Sequence, residues 1–174
     1  MYVDILNAAN VKQGPGPITT AIRWRWTQRL SAAGEWQLEA PATDPRIEFA
    51  TLKRQLHAYH WIGNERKWLG GGTLEKRQVA LRGDDATTMA LSGNDVLFEL
   101  ARATVNLEIN YDSPYIGAAM FDRIMAEAPA GWTITVEGST PNLIARFADE
   151  SVLNALVTVC NKTGQMFRLD PELL

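Results

Sequence analysis

Ile18-Thr-Thr-Ala-Ile-Arg-Trp-Arg-Trp-Thr-Gln-Arg-Leu30 alternates along its length. Ile18, Ile22, Trp24, Trp26 and Leu30 occupy even positions, while Arg23, Arg25 and Arg29 occupy odd ones. Period two predicts a long, half-buried strand with its tryptophans turned in and its arginines turned out. After Ser31-Ala-Ala-Gly34, the stretch Glu35-Trp-Gln-Leu-Glu-Ala40 alternates in the same sense, and Pro41 ends it. A short Gly-containing connection joins the two as a hairpin. Keeping both apolar faces on one side favours partner numbers that sum to about 64. That register sets Arg25 opposite Glu39, Arg29 opposite Glu35 and Trp26 opposite Leu38. Each such charge pair is worth ~0.2–1 kcal/mol, and a buried large side chain ~1.5–3 kcal/mol. The tryptophans hold this sheet, and the charges choose its register.

Working outward, Ala42-Thr-Asp-Pro-Arg-Ile47 reads as a turn into a short helix, capped by Thr43 or Asp44 with Pro45 at its first position. Residues 52–62 and 66–69 flank Gly63-Asn64-Glu65 as a second hairpin, and Gly70-Gly71-Gly72 marks a bulge or sharp bend. Gly83-Asp84-Asp85 is a turn before a last short strand, Ala86–Ser92. About six strands with turns this regular predict a small antiparallel barrel or split sandwich. From Gly93 the period becomes helical. Val96, Leu97, Leu100, Ala101 and Thr104 share one face of a helix starting near 92–94. Ser113-Pro114 starts another, with Phe121, Ile124 and Met125 in its stripe. Trp132–Val136 and Leu143–Phe147 read as short strands, and Asp149 or Ser151 opens a third helix that Gly164 closes. Met166–Leu169 reads as a final strand without a partner, the mark of a sheet completed by another chain or of a longer polypeptide. The expected fold class is α+β: a barrel-like or split-sandwich domain over 1–92, then a helical crossover and a small α/β unit over 93–174.

Composition narrows the function. The 174 residues are 46% apolar and 21% charged, which excludes disorder, and no apolar run approaches a membrane helix. Met1-Tyr-Val-Asp4 lacks the basic start and apolar core of a signal peptide. The net charge of −3 disfavours nucleic-acid binding, and alternation separates the arginines from the tryptophans that would stack on bases. The charge is uneven: 12 Lys/Arg against 11 Asp/Glu in residues 1–100, and 5 against 9 thereafter.

No catalytic constellation is legible. His57 and His60, at an odd spacing on a strand, point to opposite faces, and no further Cys or His completes a metal set. Gly70-Gly71-Gly72 is followed by neither Lys-Ser/Thr nor a helix, as a phosphate loop would require. Asp84-Asp85 and Asp149-Glu150 are the acids that turns and helix starts demand. Cys160, the single cysteine, sits on an apolar stripe as a core residue. The expectation is no catalytic residues, no metal and no cofactor. The candidate site is a subunit-contact face made of Arg23, Arg25 and Arg29.

Gly34-Glu-Trp-Gln-Leu-Glu-Ala-Pro-Ala-Thr-Asp-Pro-Arg-Ile47, after a Trp-rich strand, resembles the opening of the tail hub proteins of long-tailed phages and prophages. The resemblance continues through Trp68-Leu-Gly-Gly71 and Leu91-Ser-Gly-Asn-Asp-Val-Leu97, and through Arg146-Phe-Ala-Asp-Glu-Ser-Val-Leu-Asn-Ala-Leu156 with Thr163-Gly-Gln-Met-Phe-Arg168. Asn94 stands where many relatives have Arg. The resemblance implies a structural protein of the virion tail tip or baseplate, assembled in the bacterial cytoplasm. It further implies a homotrimeric hub that closes the tail tube beneath the distal tail protein and carries receptor-binding or lytic parts. The alternatives are a tail-associated cell-wall hydrolase and a carbohydrate-binding adhesion module.

Overall fold

The computed structural model describes residues 1–81, 87–109 and 117–170. Among these, nine strands form three sheets. The first sheet has the order β1-β4-β5, built from Tyr2–Leu6, Gln55–Ile62 and Glu65–Thr73. The second has the order β2-β3-β7-β6, built from Arg23–Arg29, Ala32–Pro41, Thr87–Asn94 and Lys76–Leu81. The third pairs β8 (Thr104–Ile109) with β9 (Ala145–Ser151). Two α-helices, α1 (Ala119–Met125) and α2 (Val152–Thr163), lie in the C-terminal half. The result is an α+β split sandwich of antiparallel sheets, with no closed barrel among the described residues.

The chain falls into two compact units. One holds Met1–Gln28, Ala33–Val96 and the C-terminal residues from Leu169; the other holds Arg29–Ala32 and Leu97–Arg168. In the first unit, alternate side chains of the first two sheets share one core. Val3 and Ile5 of β1, Leu56 and Ala58 of β4, Trp36, Leu38 and Ala40 of β3, and Met89 and Leu91 of β7 all lie in it. The β3–β7 register sets Leu38 opposite Leu91 and Ala40 opposite Met89, so the inward residues face one another in pairs. Trp36 is fully buried, and its indole N–H donates to the Asn94 carbonyl at 3.0 Å. That bond removes the cost of burying an unpaired donor.

The first hairpin forms, with a tighter turn than expected. β2 and β3 are joined by Leu30 and Ser31 alone, with Ser31 at φ +51°. The Ile22 amide donates to the Glu39 carbonyl at 2.8 Å, so Glu39 meets Ile22 and not Arg25. The shorter turn slides the register away from the expected one. Alternation survives: Trp24 and Trp26 are half-buried, while Arg23, Arg25 and Arg29 are exposed. Pro45–Phe49 forms the expected helical turn, as a 3-10 helix. Asp44 caps it by accepting from the Arg46 amide at 2.9 Å. The second hairpin turns at Gly63-Asn64, and a bulge follows one residue before the glycines expected to form it. Tyr59 pairs Trp68 and Ala58 pairs Gly70, which leaves Leu69 extra.

The helical expectation after residue 92 is corrected. Ser92, Gly93 and Asn94 are engaged by Gln37, Trp36 and Glu35, so no helix can begin there. Only a 3-10 helix, Val96–Ala101, follows. Thr104–Ile109 is β8, with Val105 and Leu107 buried while Thr104, Asn106 and Glu108 are exposed. Its partner β9 contains the expected Leu143–Phe147 strand shifted toward the C-terminus, and Asp149 and Glu150 lie within it. Trp132–Val136 forms no strand. α2 is as expected: the Ser151 hydroxyl accepts from the Asn154 amide, and Gly164 closes the helix at φ +73°. α1 buries Met120, Phe121 and Ile124. Met166–Leu169 is neither a strand nor unpartnered. In the second unit the Ser31 amide donates to the Phe167 carbonyl at 2.9 Å; in the first, the Gln28 side chain donates to the Leu169 carbonyl at 2.7 Å. Gly83-Asp84-Asp85, Ser113-Pro114 and Pro171–Leu174 lie outside the described residues.

Candidate functional site

The arginines of the candidate contact face stand on an edge strand, since β2 ends its sheet. Arg23 and Arg25 project from the first unit, and Arg29 is exposed at the last position of β2. On the opposite side of β2, Trp24 stacks on Trp36 with ring centroids 5.6 Å apart and planes 15° from parallel. Trp26 meets Trp68 edge-on at 5.0 Å. Aromatic pairs of this kind contribute ~0.5–1.5 kcal/mol beyond their burial. The strand is thus pinned from its inner face, and its arginine side chains stay displayed.

A second cluster occupies the outer face of the first sheet, and it was not anticipated from the sequence. Asp4 of β1, 2% exposed, accepts from Arg66 of β5 at 2.7 Å and pairs with Lys12 at 3.0 Å. The Arg66 guanidinium reaches across β4 to do so, lying 3.5 Å from the Tyr59 ring centroid and 5.6 Å from that of Tyr2. Tyr2 and Tyr59 stack at 5.6 Å. The available signal was one acid inside the apolar run Val3-Asp-Ile-Leu6, since a buried carboxylate needs a cation. With its donors directed at Asp4 and its plane against two rings, Arg66 acts as a clasp over three strands.

His57 stands opposite Asp4 in the β1–β4 register, half-buried beside Tyr59 and Trp68. Burial pushes its imidazole down to about 4; Asp4 pulls the other way and Arg66 adds to the lowering. Its Nε2 has no hydrogen-bond partner among the described residues. His60 is exposed, as the parity of the strand requires. Among the described residues, no three His, Cys, Asp or Glu side chains gather as metal ligands. Asp149 is engaged by Asn106, accepting from its side chain at 3.0 Å while the Asp149 amide donates back at 2.8 Å. Cys160 is buried in α2, and burial pushes its thiol up, away from the reactive thiolate. Gly70-Gly71-Gly72 runs through β5, with Gly70 and Gly71 against Ala58 and His57, as strand and not as phosphate loop. No described helix is long and apolar enough to cross a membrane.

No family model matches the sequence, and no curated protein does. Solved structures do match. The tail protein from Neisseria meningitidis MC58 superposes with a TM-score of 0.56 at 12% identity, over 98% of this chain and 48% of its own. Prophage tail protein gp18 from Listeria monocytogenes EGD-e gives 0.58 at 5% identity, over 94% of this chain and 46% of its own. The chain therefore spans just under half the length of these two tail proteins, and over that span it shares their fold.

Proposed function

We propose that the chain is a structural part of a phage or prophage tail, placed at the tip or baseplate as part of a hub, and that it acts by assembly. The observation that carries this reading is a fold shared over nearly the whole chain with two tail proteins. The hub is a homotrimer in this reading, in contact with the distal tail protein. Arg23, Arg25 and Arg29 face a neighbouring subunit, and catalysis plays no part. Immunogold microscopy of virions, with antibody raised against this chain, tests it. Label at the end of the tail farthest from the head is expected. Unlabelled tails would overturn the reading, and label along the shaft would overturn the tip position. A peptidoglycan zymogram addresses the hydrolase alternative, where a cleared band would favour it.

A further inference from the structure

The edge strand β6 is exposed from Lys76 through Ala80. It closes the second sheet on the side opposite β2, with β7 as its only neighbour among the described residues. Which backbone groups it leaves open follows from the ladder. The Ala42 amide donates to the Thr87 carbonyl, so odd-numbered residues of β7 turn their polar groups toward β3 and even-numbered ones toward β6. Thr88, Ala90 and Ser92 face Ala80, Gln78 and Lys76, which leaves the N–H and C=O of Arg77 and Val79 directed at the open edge. Beside that edge is a groove of about 610 Å³ lined by Leu52, Glu75, Lys76, Arg77, Val79 and Met89. Val79 is 64% exposed and Leu52 57%, so the apolar layer of the sheet continues past the residues that cover it.

We propose that β6 is a docking edge for an extended segment of a partner protein in which apolar residues alternate with acidic ones. A strand added here would bond to the open Arg77 and Val79 groups and set its apolar side chains over Leu52 and Val79. Lys76 and Arg77, exposed and without an ion pair to a described residue, select acid beside them. Charge and burial argue against the described strands of a second copy. β2 presents Arg23, Arg25 and Arg29, which repel the β6 cations, and the one acid of β5, Glu65, is already paired with Lys67 at 3.0 Å. β8 and β9 already bury Val105, Leu107, Ala145 and Phe147 in their own unit, so they have no apolar row left for the groove. β1 is bridged on its other side by Ile18 and Lys12. The inference rests on the strand edge and holds independently of the tail reading.

The probe is a fluorescein-labelled hexapeptide alternating glutamate and valine, with a lysine–valine hexapeptide as control, titrated by fluorescence anisotropy. The acidic peptide is expected to bind about tenfold more tightly, the equivalent of ~1.4 kcal/mol. Val79→Pro removes an N–H that the β6–β7 ladder does not use, and it should weaken binding about tenfold or more. The double variant Lys76→Glu/Arg77→Glu should reverse the peptide preference, and it decides the matter if circular dichroism shows the proline variant unfolded. Equal affinity for the two peptides would overturn the proposal, as would unchanged binding by a folded Val79→Pro chain. Concentration-dependent self-association that a folded Val79→Pro chain loses, and that the acidic peptide does not displace, would overturn it in favour of a second copy.

Discussion

Gly70 shows how much a single position can carry. Its φ is +124°, and a Cβ there would sit 2.5 Å from the Trp26 ring. Gly70→Ala therefore meets backbone strain of ~1–3 kcal/mol and overpacking of similar size. Urea denaturation should show a loss of about 2–6 kcal/mol, the sum of those two effects. Trp36, fully buried, should lose about 3–5 kcal/mol on Trp36→Ala. Arg25→Ala, on the exposed side of β2, should stay within about 0.5 kcal/mol. Comparable losses in the two variants would reverse the assigned faces of the hairpin. His57 carries a pH dependence. Its folded value of about 4 lies below the ordinary 6.5, so between those values the unfolded chain binds more protons than the folded one. The stability from keeping it neutral is fully present above pH 6.5 and is lost as pH falls toward 4. Urea midpoints at pH 7 and pH 5 should differ more for the wild type than for His57→Gln.

At the scale of elements, capping decides where α2 lies. Ser151 accepts from the Asn154 amide, and Gly164 takes the left-handed conformation that ends the helix. Ser151→Ala should cost about 0.5–2 kcal/mol by leaving that amide without its cap, and Gly164→Ala about 1 kcal/mol. Thermal melts followed at 222 nm should show both losses, and their sum in the double variant, because the two caps lie three turns apart. Asp149, the other candidate start, stays outside the helix. Its amide and carboxylate are both held by Asn106 across the β8–β9 pair.

For the whole molecule, the contact face gives a test of assembly. In the proposed ring, a patch on one copy meets a different patch on the next. The basic side is then Arg23, Arg25 and Arg29, and the acidic side comes from residues beyond 100, where acids outnumber bases 9 to 5. Light scattering should show a trimer that weakens as salt passes ~0.15 M, where the screening length falls to ~8 Å. The triple variant Arg23→Glu/Arg25→Glu/Arg29→Glu should dissociate it. A monomer at every concentration would count against the ring, and an unaffected trimer in the variant would count against the arginine face.

Sequence by itself determined what depends on neighbours along the chain. Period two placed Trp24, Trp26, Trp36 and Leu38 inward and the arginines outward, because a strand alternates faces whatever it pairs with. Asp44 before Pro45, Ser151 before an apolar stripe, and Gly164 after it marked helix ends, because caps act over three or four residues. The candidate contact face came from the same alternation, and its exposure follows from it. Tertiary structure alone decided register and long-range pairing. Glu39 meets Ile22 because the turn tightened to Leu30-Ser31, and local pattern does not encode that slide. Ser92–Asn94, helical by period, were claimed by β3, where pairing opposite Trp36 outweighs a weak helix start. The Asp4–Arg66 clasp joins residues 62 positions apart. A buried carboxylate announces that it needs a cation, but only the folded sheet selects which one.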